Sequence, residues 1–216
     1  MYLIIVGLGG IGKNLVDIAS KDKNDVVVID EDEKRCREVA SKYDVLTIVG
    51  DATEKSTLEE AEASRAHALI ATTSDDAANL MMALTAKGLG TKKAVAVVNQ
   101  EEHVEMFKEA GIYLFENPDM TVASHLYFSV KRPKIKDFLT VSGGKAEIFE
   151  VIVTDKSRTV GKKLSKLRIK QGIVVAIERN GEIVLPMGDT IFELHDLVTI
   201  FAKTQNVDRI SQLFAP

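Results

Sequence analysis

A glycine-rich turn near the amino terminus constrains the fold of this chain more than any other stretch. The turn is the run Gly7-Leu8-Gly9-Gly10-Ile11-Gly12, which has the spacing G-x-G-x-x-G. An apolar run at 2–6 precedes it and predicts a strand, and a helical pattern over 11–21 follows it. A strand, a glycine turn and a helix in this order are typical of a site that holds a pyrophosphate.

Each glycine of the motif meets a different physical demand. Gly7 permits a tight reversal, Gly9 lets the backbone approach a pyrophosphate, and Gly12 lets the helix pack close to the strand. The free N–H groups and the positive dipole end of the helix then face the anion. We expect the helix to pack through the apolar side chains of Ile11, Leu15, Ile18 and Ala19.

An acidic residue follows the second predicted strand at the distance that the glycine motif requires. Asp30 ends the apolar run 26–29, eighteen residues after Gly12. Its carboxylate can accept hydrogen bonds from both hydroxyls of an adenosine ribose, and Glu31 beside it adds to the repulsion of a 2′-phosphate. We therefore expect NAD(H), ATP or ADP rather than NADP. The alternative is that Asp30 only caps the next helix, as Asp32 or Glu33 could do.

Composition excludes several classes of protein. The chain of 216 residues has 45% apolar and 28% charged residues and a net charge of −4, as in an ordinary globular protein. The acidic balance and the 6% aromatic content argue against a nucleic-acid partner. The single cysteine, Cys36, allows no internal disulfide, and its place in a helical pattern predicts a small core residue.

No apolar run approaches the length of about 20 residues that spans a bilayer, and the amino terminus lacks the pattern of a signal peptide. We therefore expect a cytoplasmic protein that reaches a membrane only through a partner.

The first half of the chain alternates strands and helices. Apolar strands are predicted at 2–6, 26–29, 45–49, 68–71, 94–98 and 113–115, and helices at 11–21, 32–42, 55–63, 75–89 and 101–110. This alternation predicts a doubly wound parallel sheet of the α/β class. Ligands of such sheets bind beyond the carboxyl ends of the strands, where the strand order reverses.

Two further strand ends carry polar residues that suit this site. The third strand is followed by Asp51, Ala52 and Thr53, which could meet the adenine or the ribose, although Asp51 is equally suited to a turn. The fourth strand is followed by Thr72, Thr73, Ser74 and Asp75. We expect this second group both to cap the next helix and to contact the ligand.

A helical pattern at 119–132 carries apolar residues on more than one face, which predicts that a second surface, preferably a second subunit, covers it. Pro133 ends this helix, and we interpret the charged stretch 131–136 together with 142–145 as a linker.

The remaining chain predicts a small α+β domain. Strands are expected at 148–153, 173–179, 182–185 and 197–201, with a short basic helix at 160–167 and a closing helix at 206–214. Asn180-Gly181 between two apolar runs predicts a tight hairpin. We place the two domains at 1–133 and 134–216.

Several of these motifs together resemble a known family. The glycine turn, Asp30, Gly50-Asp51-Ala52-Thr53, Thr72 to Asp76 and Asn117-Pro118 look like the nucleotide-binding Rossmann domain called RCK, the regulator of K⁺ conductance. The segments Gly161 to Leu164, Arg179 to Gly181 and Pro186 to Thr190 resemble the small domain that follows it in that family. The pair is similar to the regulatory subunit of Trk/Ktr-type potassium uptake systems.

The resemblance implies a switch rather than an enzyme. It implies a homodimer, with octameric rings beneath an integral membrane K⁺ channel or transporter, and NAD(H), ATP or ADP in the Rossmann domain. The glycine turn would hold phosphates, Asp30 the ribose, Asp51 and Ala52 the adenine side, and Thr72 to Ser74 the far end of the ligand. The helix at 119–132 corresponds to the family's crossover helix at the dimer interface.

Two points of the resemblance concern charge. Many members carry an arginine on the fifth strand that reaches the ligand's phosphates, where this chain reads Ala96-Val97-Val98-Asn99, so a γ-phosphate would lose a charged partner. Glu116 matches a region at which some relatives bind a divalent ion between subunits. We assign no metal ligand to this chain.

The alternative function is an NAD-dependent oxidoreductase of unknown substrate. Hydride transfer to a carbonyl needs an oriented proton donor beside the nicotinamide. The chain has four histidines, which are His67, His103, His125 and His195. None of them directly follows a predicted strand as part of an evident acid–base pair. We therefore assign no catalytic residue.

Overall fold

The computed structural model describes residues 1–113 and 117–216 with their side chains. The chain forms two compact units, Met1–Thr121 and Val122–Pro216. The division falls inside a helix, Pro118–Lys131, that the sequence predicts at 119–132. The predicted domain boundary after residue 133 stays a prediction.

The first unit is built on six strands and the helices between them. The strands are β1 (Tyr2–Val6), β2 (Asp25–Asp30), β3 (Leu46–Val49), β4 (Ala68–Ala71), β5 (Ala94–Val98) and β6 (Tyr113–Glu116). The helices are α1 (Gly10–Lys21), α2 (Glu33–Lys42), α3 (Lys55–Glu60), α4 (Asp76–Leu89), α5 (Val104–Glu109) and α6 (Pro118–Lys131). Short 3₁₀ turns follow α3 at Ala63–Arg65 and precede α5 at Glu101–His103.

The sheet of the first unit is parallel throughout, with the order β3-β2-β1-β4-β5-β6. The predicted doubly wound α/β fold is confirmed. The order reverses between β1 and β4, so the carboxyl ends of these two strands open a crevice. The central strands of the sheet are buried on both faces, and for that reason they consist of near-continuous apolar runs.

Local signals set the limits of the helices as expected. Asp32 caps α2 by accepting hydrogen bonds from the N–H groups of Lys34 and Arg35, and Asp75 caps α4 in the same way. Gly90, at a φ of 108°, ends α4 in the left-handed conformation that glycine adopts readily.

The packed face of α1 differs from the predicted one. Gly12, Val16 and Ala19 are buried, whereas Ile11 and Ile18 are 39% and 57% exposed. The reason is the glycine motif itself. Because Gly12 has to lie against the turn, the helix presents the stripe that contains Gly12 to the sheet; Leu15 packs at its edge as predicted, and Ile11 and Ile18 remain outside.

The second unit is an antiparallel sheet with a closing helix. Its strands are β7 (Ile135–Val141), β8 (Ala146–Ile152), β9 (Gly172–Arg179), β10 (Glu182–Val184) and β11 (Leu197–Lys203), in the order β10-β9-β11-β8-β7, and its helix is α7 (Val207–Phe214). Alternate residues of these strands, among them Phe149 and Ile200, form a core with Phe214 of α7. The small α+β domain is confirmed. Asn180 and Gly181 both have positive φ, as the predicted hairpin between β9 and β10 requires.

Two predictions for this half of the chain are wrong. Residues 135–141, assigned in part to a linker, form β7, because pairing with β8 and partial burial of Phe138 make them part of the sheet. The expected basic helix at 160–167 is reduced to a 3₁₀ turn at Leu164–Lys166. Gly161 at a φ of 74° is incompatible with an α-helix, and bridges from Val160 to Phe192 and from Lys163 to Ile191 hold this segment extended.

Among the helices of the described residues, none is long and apolar enough to cross a membrane.

Candidate functional site

A cavity of about 890 Å³ lies at the carboxyl ends of the parallel strands, around the glycine turn. Every residue predicted to contact a ligand lines this cavity except Leu8 and Gly12, which are the two buried residues of the turn. The structure therefore brings together side chains that follow β2, β3 and β4 in a single place. Binding by these residues stays a prediction.

The glycine turn has the geometry that its spacing predicts. Gly7 has a φ of 89°, and its N–H donates to the carbonyl of Ile29, which joins the turn to the end of β2. A Cβ on Gly12 would lie 1.8 Å from the Gly7 carbonyl oxygen, so only glycine fits there. A Cβ on Gly9 would meet nothing within 4 Å, because Gly9 borders the open cavity.

Thr72 fixes the turn from the side of β4. Its buried hydroxyl lies 3.0 Å from the carbonyl oxygen of Val6 and 2.9 Å from that of Gly7. The one hydrogen of this hydroxyl is therefore shared between two carbonyl oxygens, one at the end of β1 and one in the turn. Thr72 supports the turn and lines the cavity at the same time.

Asp30 is held in place by the backbone. One carboxylate oxygen accepts a hydrogen bond from the N–H of Leu8 at 2.5 Å, and the other accepts one from the N–H of Asp32 at 2.9 Å. The interpretation of Asp30 as the cap of α2 is wrong, since Asp32 takes that role. Asp30 instead ties the glycine turn to the end of β2, and its remaining lone pairs border the cavity.

Arg35 is a lining residue that the sequence did not reveal. Its guanidinium lies 3.8 Å from Asp30 Oδ2 and 3.3 Å from Asp32 Oδ2, and the side chain is half exposed. Its place in the first turn of α2, over the end of β2, brings it to the cavity. The signal that could have indicated its place at the cavity is a basic residue in the first turn of the helix that follows Asp30.

The Asp51 side chain stabilises the turn after β3, which is the alternative role that the sequence suggests for it. Its Oδ1 accepts hydrogen bonds from the N–H of Thr53 at 2.8 Å and from the Thr53 hydroxyl at 2.7 Å. These bonds to the Thr53 side chain and backbone lower the pKa of the Asp51 carboxyl, so the group stays ionised at the cavity wall. Ala52 is buried between them.

Asn79 holds the loop between β4 and α4. Its side chain is fully buried: Oδ1 accepts from the N–H and the hydroxyl of Thr73, and Nδ2 donates to the carbonyls of Thr73 and Val97. The hydrogen-bonding capacity of the amide is therefore fully used. Asn79 lies outside the cavity lining and positions Thr73, which lines it.

Asp76 holds the residues that directly follow β5. Its buried carboxylate accepts hydrogen bonds from the backbone N–H and side-chain amide of Asn99, from the N–H of Gln100, and contacts His103 Nδ1 at 2.9 Å. Burial raises the pKa of Asp76, but these hydrogen bonds outweigh it and the pKa lies below its ordinary value. An ionised Asp76 thus fixes Asn99 at the cavity.

The charges that line the cavity are mostly negative. Among the described lining residues there are six carboxylates and one guanidinium; these are Asp30, Glu31, Asp32, Asp51, Asp75, Asp119 and Arg35. Pro118 and Asp119 belong to the first turn of α6 and were not predicted to border the site.

The family resemblance associates Glu116 with a divalent ion, but this residue lies outside those whose side chains the structure describes. Within the described part of the chain, His, Cys, Asp and Glu side chains nowhere form a group of three or more that could hold a metal ion. Histidine is also absent from the described cavity lining. His67 accepts a hydrogen bond from the N–H of Tyr2, and His125 stacks on Phe138.

Comparison with known proteins identifies the family. A family model described as the TrkA-N domain matches residues 3–118, and one described as the TrkA-C domain matches residues 148–215. The chain belongs to the TrkA-N/TrkA-C family. The TrkA-N match contains the glycine turn and Asp30, and the TrkA-C match contains most of the second unit.

Several proteins of similar sequence are named as potassium uptake proteins. The chain is 33% identical to a Trk system potassium uptake protein TrkA homolog of Methanothermobacter thermautotrophicus, over 99% of each chain. It is also 33% identical to a protein of the same name from Archaeoglobus fulgidus, of which it spans 50%. Several further TrkA relatives are matched over about half of their length.

Solved structures show the same fold. The GsuK channel matches the whole of this chain with a TM-score of 0.67 and 18% identity, and the match covers 39% of the channel chain. A structure of the GsuK channel bound to NAD matches with a TM-score of 0.66 and 18% identity, over the same share of each chain. At this level of identity the likeness establishes the RCK fold of the TrkA family chain.

Proposed function

We propose that this chain is a regulatory subunit of a potassium transport system, which binds an adenosine nucleotide in the cavity and thereby changes the activity of a membrane-embedded partner. The names of its TrkA relatives support the association with potassium uptake. The NAD that is bound to the GsuK channel supports a nucleotide as the ligand of this fold.

The observation that carries the proposal is the convergence of three features on one cavity. The glycine turn, the amino terminus of α1 and the Asp30 carboxylate all border the crevice where the strand order reverses. The N–H groups of α1 hold the phosphates, and Asp30 accepts hydrogen bonds from the ribose hydroxyls. Residues after β3 face the adenine, and Thr73 with Ser74 contacts the opposite end of the ligand.

A nucleotide acts as a switch only if it binds two conformations of the protein with different affinity. Pro118 and Asp119 border the cavity and begin α6, so a ligand contacts the first turn of this helix directly. The helix continues with exposed apolar residues; Leu126 and Val130 are 66% and 83% exposed. A second copy of the chain covers this surface, and dimers assemble further into a ring beneath the membrane partner.

The test separates a switch from the alternative, an NAD-dependent oxidoreductase. Calorimetric titration of the purified chain is expected to show saturable binding of an adenosine nucleotide. Incubation with NAD⁺ or NADH and a panel of alcohols and carbonyls is expected to leave the absorbance of NADH unchanged. Absence of binding by every adenosine nucleotide would contradict the proposal, and substrate-dependent oxidation of NADH would favour the enzyme.

A further inference from the structure

The charges of the chain are distributed unevenly between the two units. The second unit, Val122–Pro216, contains 15 lysine and arginine residues and 10 aspartate and glutamate residues, which gives it a formal charge of +5. Since the whole chain has a net charge of −4, the first unit has a formal charge of −9. The acidic balance of the sequence thus conceals a basic unit, and such an asymmetry indicates an anionic partner for that unit.

The excess of positive charge comes from one segment between β8 and β9. Residues 156–170 contain seven lysines and arginines and no acidic residue. All seven side chains are exposed, and none of them forms an ion pair with another residue that the structure describes. On the facing segment 186–194, Glu193 is paired with Arg179, which leaves Asp189 as the other acid. The segment is therefore a concentrated and unneutralised positive surface.

The fold holds this segment in place with its cations outside. Leu164, Leu167 and Ile169 pack on the core of the second unit, and the charged residues alternate with them at exposed positions. Bridges and backbone hydrogen bonds join 160–165 to 188–192. The cations thus belong to a folded surface rather than to a free tail.

Exposed apolar side chains border the cations. Val160 lies within the basic segment, and Ile191 is bridged to Lys163, so the side chains of this pair point to the same side. Leu185 and Met187 are 76% and 69% exposed and precede the residues that are bridged to the basic segment. Lysines combined with exposed apolar residues are the means by which amphipathic segments bind an anionic membrane surface.

We propose that this basic surface, residues 156–170 with the apolar side chains of 185–191, binds the headgroups of anionic phospholipids. Lysines attract phosphate as point charges, and the apolar side chains suit the boundary between headgroups and acyl chains. A nucleic acid fits less well, since the segment contains no aromatic residue on which a base could stack. The inference goes beyond the proposed function, in which a partner protein holds the chain at the membrane, because it requires no partner.

Co-sedimentation of the full chain with vesicles that contain no other protein tests the inference. We expect the chain to bind vesicles of phosphatidylglycerol and phosphatidylcholine and to leave vesicles of phosphatidylcholine alone unbound. Binding is expected to weaken as the salt concentration rises, because salt screens the attraction between the lysines and the lipid phosphates.

Variants assign the binding to the basic surface. A triple variant with Lys162→Gln, Lys163→Gln and Lys166→Gln is expected to bind anionic vesicles about a hundredfold more weakly, at about fivefold for each cation. The matched control changes the net charge equally by removing three exposed lysines of the first unit, and we expect it to bind as the wild type does. It consists of Lys23→Gln, Lys92→Gln and Lys93→Gln. Because all these side chains are exposed, both proteins are expected to keep the thermal stability of the wild type.

A fluorescent reporter tests the apolar border of the surface. The chain contains no tryptophan, so Met187→Trp introduces a single one at an exposed position. Its emission is expected to shift to shorter wavelength with anionic vesicles and to stay unchanged with neutral ones, because only the bound side chain leaves water. An unchanged emission with anionic vesicles would overturn the placement of this surface on the membrane.

The remaining outcomes separate lipid from other partners and from the proposed function. Absence of binding to anionic vesicles at low salt overturns the inference, as does equal weakening by the two triple variants. Binding to duplex DNA that is tighter than binding to vesicles, and that the variant of the basic surface loses, would overturn it in favour of a nucleic acid. None of these results bears on the nucleotide switch, because the vesicles contain no membrane partner and no nucleotide is added.

Discussion

At the scale of single residues, Asp30 has a structural contact that the sequence pattern did not indicate. Its carboxylate supports the glycine turn through the Leu8 N–H and borders the cavity. The ribose role is a prediction from sequence, which rests on the spacing between the glycine turn and the acid along the chain. The contact with Leu8 could not be predicted in this way, because it depends on how close the turn comes to the end of β2.

Asp30→Ala is therefore expected to weaken the binding of any adenosine nucleotide at least tenfold, since each hydrogen bond to a charged group contributes about 1.5–3 kcal/mol. It also leaves the Leu8 N–H without its acceptor, at a cost of about 1–3 kcal/mol of stability. Calorimetry and urea unfolding measure the two effects. The control Asp44→Ala removes an exposed carboxylate outside the cavity lining and leaves both stability and nucleotide affinity nearly unchanged. Equal affinities of the wild type and Asp30→Ala would contradict the ribose assignment.

Two glycines of the turn are expected to separate folding from binding. Gly12→Ala places a Cβ 1.8 Å from the Gly7 carbonyl oxygen, so we expect a loss of at least about 3 kcal/mol in unfolding free energy, or no folded protein. Gly9→Ala meets open space at a φ of −70°, so the fold is retained. The new methyl group occupies the cavity beside the turn, and nucleotide affinity falls.

Thermal unfolding and calorimetry on both variants check this prediction. A Gly12→Ala protein as stable as the wild type would contradict the close packing of α1 on the turn. A Gly9→Ala protein that binds nucleotide with unchanged affinity would show that the phosphates lie elsewhere.

At the scale of elements, the loops of the site are held by helix residues that no motif contains. Asn79 lies on the second turn of α4, and its role became visible only when α4, the loop before it and β5 were in place. The same is true of Asp76, which the sequence presents as one more acid near a helix cap. Such residues contact partners far along the chain, and local periodicity contains no information about those contacts.

Asn79→Ala is expected to destabilise the first unit by about 2–3 kcal/mol, because it removes the four hydrogen bonds by which the buried amide joins Thr73 to the carbonyl of Val97. Nucleotide affinity falls as well, since Thr73 is no longer fixed. Asn14→Ala, at an exposed position of α1, is the matched control and leaves stability unchanged or slightly raised. Urea unfolding measures the difference, and equal stability of the two variants would contradict the positioning role.

The second unit depends on a buried ion pair between β9 and the segment before β11. Asp196 is 1% exposed and accepts hydrogen bonds of 2.8 Å from Arg179 Nε, from Arg179 Nη2 and from the N–H of Glu193. The hydrogen bond to Asp196 raises the pKa of the Arg179 guanidinium, so this group stays charged. The sequence analysis names Arg179 only as part of a family resemblance and does not indicate its pairing with Asp196.

Asp196→Ala removes a buried charge and leaves Arg179 without its main partner. We expect a loss of about 3 kcal/mol in the stability of the second unit, at the lower end for broken buried pairs because Arg179 is partly exposed. Hydrogen exchange resolved by residue is expected to show faster exchange in β9 and β11 and unchanged exchange in β1 and β2. Unchanged protection of β9 would contradict the structural role of the pair.

The elements that sequence predicted least well are those whose conformation depends on pairing or on a glycine's backbone. The β7 strand carries charges typical of a linker, and only its pairing with β8 makes it a strand. The segment around Gly161 has helical periodicity, but the positive φ of this glycine prevents the helix. The parallel strands, of which the central ones are buried on both faces, were predicted almost to the residue.

At the scale of the whole molecule, the two units correspond to the two matched family domains, and the cavity lies wholly in the first. The α6 helix begins at the cavity and belongs in part to each unit. Its exposed apolar residues are the place where we propose that a second copy binds. In the proposed function, ligand occupancy and assembly thus involve the same helix, which is what a switch requires.

The most direct test of this account is potassium flux into vesicles that contain the membrane partner, measured with and without this chain and with each adenosine nucleotide. The account predicts that the flux depends on the chain and changes when nucleotide is added. The nucleotide effect is expected to disappear with the folded Gly9→Ala variant, whose cavity is occupied by the added methyl group. A flux that is the same in all these conditions would contradict the central claim.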